Sequence, residues 1–185
     1  MRGVLHNYNH NLWFHLFLLL SFFAIIAQSG DDCVYTVYVR TGSIFKAGTD
    51  SIISLNLYDM YGEVVTIPDL EAWGGLMGPD YNYFERGNLD IFSGRGPCLS
   101  AAACAMNLTS DGSGPHHGWY TNYVEVTSTG AHIPCDQTLF TVEQWLALDT
   151  SPYELTAIRN YCPGDVDGGR RDHHRDVVKS VSSDM

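Results

Sequence analysis

Short runs of alternating apolar and polar residues are the feature that most constrains this fold. In SIISLNLYD, Ile53, Leu55 and Leu57 alternate with Ser54 and Asn56, the period of two that a half-buried strand requires. The other such runs are CVYTVYVR, VVTI, LDIF, CAMNL, WYTNYVEV, TLFTVEQWL and YELTAIR. Turn-forming residues separate the runs. No run has the length and the amphipathic pattern of a helix. Eight short strands predict an all-β antiparallel sandwich or barrel.

The two ends of the chain differ in composition from this middle part. Residues 12–27 are almost entirely apolar, Arg2 is the only charge before them, and Ala27 and Ser29 are small residues at signal-peptidase spacing. We predict a signal peptide over residues 1–29, removed after cleavage near Ser29. An uncleaved membrane anchor is the alternative, but the run is shorter than the roughly 18 to 20 residues that span a bilayer. Residues 30–162 form the predicted domain, and the polar residues 163–185 a predicted disordered tail.

The predicted mature chain is acidic. Removing Arg2 leaves nine basic and 21 acidic residues, a formal charge of −12 with histidine neutral. This charge disfavours binding to nucleic acid, which depends on Lys and Arg contacts to phosphate. It also opposes docking on anionic lipid unless a cation intervenes.

All five cysteines follow the predicted signal peptide, which places them where disulfides form and persist. Because five is odd, at least one thiol is free or pairs with another chain. Cys33 opens the first predicted strand and Cys162 follows the last one, so a bridge between them is one plausible pairing. Sequence alone leaves the connectivity open.

Known catalytic motifs are missing from the sequence. It has no G-x-S-x-G elbow, no H-E-x-x-H zinc helix and no glycine-rich phosphate loop, so we predict that the chain is not an enzyme. His116 and His117 are predicted to face solvent in a loop, since a transition-metal site needs further ligands. A small enzyme that uses the thiol of Cys135, with His132 nearby, is the weaker alternative.

Three further positions have candidate roles. Trp119 and Trp145 stand inside predicted strands, where a large aromatic side chain is typically a core anchor. Asn107 begins the only N-x-S/T glycosylation sequon, NLT, which we place at a strand end.

Four separated stretches resemble the plant PLAT (lipoxygenase-homology) domain proteins of the embryo-specific protein 3 group. They are YTVYVRTG with AGTDSIISLNLYD, then YFERGNLDIF, LTSDGSGPHHGWYTNYVEVTSTG and LFTVEQWLALD. The resemblance extends from Cys33 to Cys162 in the family's order. It implies a β-sandwich of two four-stranded sheets. It also implies a module that binds lipids, membranes or protein partners, often with calcium.

The resemblance implies a calcium site at Gly48, Asp50, Asn88 and Asp90. Calcium takes six to eight oxygen ligands from carboxylates, carbonyls and water, and KAGTD and ERGNLD supply such groups on loops. In the alternative interpretation, Asp50 caps a turn, and Asp90 is an outward strand residue or pairs with Arg86.

A linked hypothesis concerns contact with a membrane or partner. Trp73, Leu76 and Met77 lie in the glycine-broken segment EAWGGLMGPD, and exposed aromatic and apolar side chains can insert at the headgroup level. The alternative is that Trp73 packs into the core.

One position departs from the family pattern. The family usually has a cysteine where this chain has Thr121. If the missing cysteine is the partner of Cys135, the thiol of Cys135 is free. The other four cysteines then pair as Cys33 with Cys162 and Cys98 with Cys104.

The sequence and the resemblance together predict a secreted, disulfide-bonded, non-enzymatic module that binds a lipid, a membrane surface or a protein. The resemblance implies a role in plant stress response or in seed and embryo development, in the endoplasmic reticulum, the apoplast or the extracellular space. The alternative is a protein-interaction adaptor without lipid affinity, whose acidic surface binds a basic partner.

Overall fold

The computed structural model describes residues 32–164, which form eight strands and one short helix. The strands are β1 (Asp32–Thr41), β2 (Ile53–Tyr58), β3 (Val64–Ile67), β4 (Leu89–Pro97), β5 (Ala105–Ser110), β6 (Trp119–Gly130), β7 (Ile133–Leu146) and β8 (Thr156–Asn160). The helix, α1, is Leu70–Gly74. The predicted signal peptide and almost all of the predicted tail lie outside the described residues. Within residues 32–164, no helix has the length and hydropathy needed to cross a membrane.

The strands form two antiparallel four-stranded sheets. Sheet A has the order β4-β1-β6-β7, and sheet B has the order β3-β2-β5-β8. Alternation predicts all eight strands, and the two-sheet sandwich is confirmed. Helix α1 was not predicted from the sequence; its N-cap Asp69 accepts a 3.0 Å hydrogen bond from the backbone N–H of Ala72.

The inward side chains of both sheets form one apolar core. The buried residues of β1 include Tyr35, Val37 and Val39, and in β2 the predicted inward set from Ile53 to Leu57 is buried. Trp119 is fully buried, as predicted, and its indole N–H donates to Thr41 Oγ1 at 3.0 Å. Full burial of a large apolar side chain contributes about 1.5–3 kcal/mol, so this core accounts for most of the driving force for folding.

The disulfides join Cys33 to Cys98 and Cys104 to Cys162, each with a Cα–Cα distance of 4.8 Å. The pairing of Cys33 with Cys162 and Cys98 with Cys104 is therefore wrong. Cys33 lies opposite Gly96 of β4, which brings Cys98 beside it. The start of β5 lies opposite the end of β8, which brings Cys104 beside Cys162. Each bond therefore joins neighbouring strands of one sheet.

Cys135 is exposed and has no disulfide partner, but Thr121 does not explain why. Thr121 lies opposite Gln144 of β7, nine positions along that strand from Cys135. At about 3.3 Å per residue the separation is roughly 30 Å, and a disulfide requires Cα atoms within about 7 Å. A cysteine at position 121 would not reach Cys135, so that part of the sequence interpretation is also wrong.

Thr121 and Thr41 form a matched pair for a stability test. Thr121 Oγ1 is buried without a hydrogen-bond partner in the described chain, whereas Thr41 Oγ1 accepts from Trp119. We expect Thr121→Val to raise the free energy of unfolding by about 1 kcal/mol, because it removes an unpaired buried hydroxyl. We expect Thr41→Val to lower it by about 1–2 kcal/mol, because it leaves the indole N–H unpaired. Urea denaturation measures both, and a destabilised Thr121→Val variant would contradict the assignment.

The disulfide pattern is tested by proteolysis of the unreduced protein after thiol alkylation. We expect peptides that link Cys33 to Cys98 and Cys104 to Cys162, with the alkylating label on Cys135 alone. A peptide that links Cys33 to Cys162 would show that the strand register described above is wrong.

Candidate functional site

Four connections converge at one end of the sandwich, which we call the loop end. They are residues 42–52 between β1 and β2, 75–88 before β4, 111–118 between β5 and β6, and 147–155 between β7 and β8. Both disulfides and the turn between β6 and β7 lie at the opposite end, the disulfide end, where the space beside Gly130 is filled by Cys33 Sγ. The loop end therefore has long connections and no disulfide.

The loop end contains an open cleft of about 720 Å³, within the usual size range of small-ligand sites. Phe45 and Trp145 supply aromatic surface to it. Its charged or titratable lining residues are Lys46, Asp50, Glu85, Arg86, His116, His117 and Asp149. The cleft presents side chains of both charge signs, so polar or ionic groups of a ligand can be bound there.

Each histidine of the predicted solvent loop also has a carboxylate nearby. His116 Nδ1 lies 2.9 Å from Asp50 Oδ2, and the backbone N–H of Asp50 donates to His116 O at 3.3 Å. His117 Nε2 lies 3.8 Å from Asp149 Oδ2. The side chains of His116 and His117 are nevertheless 78% and 44% exposed, which agrees with the prediction that they face solvent. The two contacts connect the β5–β6 loop to the loops on either side of it.

Asp90 belongs to a buried hydrogen-bond network beside the cleft. It is fully buried, its Oδ2 accepts from the backbone N–H of Phe84 at 2.8 Å, and its Oδ1 accepts from Tyr81 Oη at 3.0 Å. Asn88 Nδ2 donates to Tyr81 Oη at 2.9 Å. Burial raises the pKa of Asp90, against the lowering effect of the Phe84 and Tyr81 hydrogen bonds. The inward position of Asp90 contradicts its interpretation as an outward strand residue.

The four predicted calcium ligands are not gathered into one cluster. Gly48 and Asp50 line the cleft, whereas Asn88 and Asp90 belong to the Tyr81 network. Among residues 32–164, no group of three or more His, Cys, Asp or Glu side chains is arranged to hold a metal ion. Glu85, which the sequence analysis missed, faces the cleft beside Gly48. A Cβ at position 48 would lie 3.2 Å from Glu85 Oε2.

The three residues predicted to contact a membrane or partner differ in their exposure. Trp73 is partly buried, and its ring occupies the space where Gly94 of β4 would carry a Cβ, which agrees with the core alternative. Leu76 and Met77 are 59% and 36% exposed. Their backbone N–H groups donate to Ile91 O at 3.0 Å and to Tyr83 Oη at 2.9 Å. Two apolar side chains are therefore exposed on a segment fixed along the edge of sheet A.

The structure adds an exposed aromatic residue that the sequence analysis missed. Phe45 is 77% exposed at the cleft rim, beside the exposed Ile44. Lys46 Nζ lies 5.7 Å from the Phe45 ring centroid. The sequence signal for this exposed residue was the presence of two adjacent apolar residues inside the polar turn TGSIFKAG.

Trp145 and Asn107 also differ from their predicted environments. Trp145 is not a core anchor: it is half-buried, lines the cleft and packs edge-on against Tyr120, with ring centroids 5.4 Å apart. Asn107 lies within β5 rather than at a strand end. It is away from the cleft.

The comparison with protein families matches residues 22–143 to the model described as "Embryo-specific protein 3, (ATS3)". The chain belongs to the embryo-specific protein 3 (ATS3) family. Its resemblance to the plant PLAT-domain proteins is thereby confirmed.

Two relatives from Arabidopsis thaliana support this assignment to the ATS3 family. PLAT domain-containing protein 1 is 60% identical over 171 residues, which cover 92% of this chain and 90% of that protein. PLAT domain-containing protein 2 is 63% identical over 154 residues, which cover 82% and 84% of the two chains. Both relatives are named for their domain.

Among solved structures, a calcium-dependent 11R-lipoxygenase matches with a TM-score of 0.50 and 19% sequence identity. The match covers 69% of this chain and 17% of the lipoxygenase chain. At this identity the likeness shows the fold alone.

The buried position of Asp90 predicts a pH-dependent stability. The folded-state pKa of Asp90 is raised above 3.8. The stability that its protonated carboxyl contributes is therefore fully present below that pH, and it is lost as pH rises through the folded-state pKa. We expect Asp90→Asn to lower the free energy of unfolding by about 1–2 kcal/mol near pH 4, and by less at pH 7. Urea denaturation at the two pH values measures this. Asp32→Asn, exposed at the start of β1, is the control, and a cost for Asp90→Asn that grows with pH would contradict the assignment.

Proposed function

We propose that this ATS3-family chain is a secreted, non-enzymatic PLAT module that docks its loop end on a lipid surface with the help of calcium. The observation that carries the proposal is the placement of exposed apolar side chains beside a carboxylate-bearing cleft at one end of the sandwich. Phe45 lies on the cleft rim and Leu76 on the neighbouring connection.

The apolar side chains supply the affinity for hydrocarbon. The loops that carry Phe45 and Leu76 are hydrogen-bonded to the sandwich: the backbone N–H of Tyr120 in β6 donates to Ala47 O at 3.0 Å, and that of Leu76 donates to Ile91 O in β4 at 3.0 Å. Insertion of a phenylalanine side chain contributes about 1.5–3 kcal/mol. Little conformational entropy is lost on docking, because the loops are already ordered.

Calcium supplies the electrostatic part of the proposal. An acidic chain repels anionic lipid, and a divalent cation bound in the cleft makes the local charge positive. The residues that would hold it are Asp50 and Glu85, with main-chain oxygens around Gly48, since calcium prefers such oxygen donors on loops. Asp90 and Asn88 position these ligands and do not bind the cation themselves, because their hydrogen-bond network holds Phe84 and the loop that carries Glu85. The fold likeness to a calcium-dependent lipoxygenase supports this proposal.

Secretion and a plant role complete the proposal. Two disulfides support an oxidising compartment, so we place the chain in the secretory pathway, with the apoplast, the extracellular space or the endoplasmic reticulum as its destination. Membership of the embryo-specific protein 3 family supports a role in seed and embryo development, and a role in stress response is the alternative.

Vesicle sedimentation tests the lipid arm. Mature protein is mixed with phosphatidylcholine and phosphatidylserine vesicles, in calcium or in chelator. We expect calcium-dependent binding that Phe45→Ser weakens about tenfold. Tyr61→Ser is the matched control, because Tyr61 is 69% exposed in the turn between β2 and β3 at the disulfide end. Capture of proteins with no binding to any vesicle would favour the adaptor function instead.

Calorimetry with millimolar calcium tests the metal arm separately. We expect measurable heat and a raised melting temperature, both reduced in Asp50→Asn and in Glu85→Gln. Asp136→Asn, on β7 near the disulfide end, is the control. The absence of heat and of a thermal shift would remove calcium from the proposal, whatever the vesicle result.

A further inference from the structure

The outer face of sheet B differs from the rest of the protein surface in having no charge. None of the outward-facing residues of its four described strands is Asp, Glu, Lys or Arg. They are mainly hydroxyl and amide side chains, together with Val64 and Ile158, which are 44% and 63% exposed. The outer face of sheet A, by contrast, carries Arg40, Arg95 and Glu125.

The glycosylation sequon lies at the centre of this face. Asn107 is opposite Asn56 of β2 on one side and Ile158 of β8 on the other. Its chain neighbours Met106 and Leu108 are fully buried in the core. Asn107 and Thr109 therefore point outward together, and a group attached to Asn107 does not disturb the core.

We propose that Asn107 carries an N-linked glycan that covers the outer face of sheet B. Asn-Leu-Thr satisfies the acceptor rule for secreted proteins, and this inference rests on the secretory entry proposed above. Nδ2 of Asn107 forms the new bond to the anomeric carbon of the donor, a lipid-pyrophosphate-linked oligosaccharide. The lipid pyrophosphate leaves, and one amide proton is released.

The local geometry accepts this modification. Asn107 Nδ2 has two N–H groups, and one of them donates to Tyr58 Oη at 3.2 Å. Glycosylation replaces one N–H and leaves the other as a hydrogen-bond donor. The first sugar then lies over the Tyr58 ring and the Ile158 side chain, the apolar surface nearest to it. Because the outer face of sheet B is at the side of the sandwich, the glycan leaves the loop end free to dock.

Translation of the full chain with endoplasmic reticulum microsomes tests attachment. We expect the protease-protected product to lose one glycan's mass on treatment with peptide-N-glycosidase, with Asn107 converted to Asp. Asn107→Gln and Thr109→Ala should remove the glycan. Asn56→Gln should keep it, because Asn56 lies on the same face outside any sequon.

The outcomes distinguish failure of the glycan proposal from failure of the secretion proposal. A protease-protected chain with unmodified Asn107 overturns the glycan proposal and leaves secretion intact. A chain that is not translocated overturns both.

Hydroxyl-radical oxidation tests coverage of the face. We expect Tyr58 and Ile158 to be oxidised several-fold more after enzymatic removal of the glycan under native conditions. Leu139, 53% exposed on the outer face of sheet A, should be unchanged. Equal oxidation of Tyr58 and Ile158 in the two forms would overturn the claim that the glycan covers this face.

Discussion

The shared apolar layer between the two sheets is the interaction on which the other features depend. Its effect extends to the loop end through Phe84, which stacks on Phe92 at 5.5 Å and packs edge-on against Trp119 at 5.3 Å. The backbone of Phe84 has a φ of 57°, a left-handed conformation that costs energy for a bulky residue. Core packing and the hydrogen bond to Asp90 hold it there. The position of Glu85, and hence of one wall of the cleft, follows from this anchor.

The two ends of the sandwich are stabilised by different means. The disulfides close chain separations of 65 and 58 residues, and each restricts the unfolded chain by about 4 kcal/mol in the chain-entropy model. The loop end is held instead by backbone hydrogen bonds between its connections, such as Thr49 N to Phe84 O and Asp50 N to His116 O. Covalent closure at one end therefore stabilises the domain while the other end retains side chains that are available for binding. A glycan on the side of sheet B would be compatible with this division.

Alternation alone was enough to predict the eight strands and the inward set of β2, because one face of each strand is buried. It could not predict the disulfide pairing, which depends on the strands beside Cys33 and Cys104 rather than on chain order. The inward position of Asp90 also required the structure: its partners, Phe84 and Tyr81, belong to a loop that the periodicity does not describe. Similarly, the cleft joins Glu85, Asp50 and His116 from three separate loops, and sequence spacing contains no information on their proximity.

The most direct measurement is the depth at which each end of the domain enters a bilayer. An environment-sensitive fluorophore is attached to Phe45→Cys or to Tyr61→Cys, each in a Cys135→Ser background so that a single thiol reacts. With calcium and anionic vesicles, the account predicts a blue shift and quenching by bilayer-resident quenchers for the probe at position 45 alone. A buried probe at position 61, or two probes that both remain in water while the protein is bound, would contradict docking through the loop end.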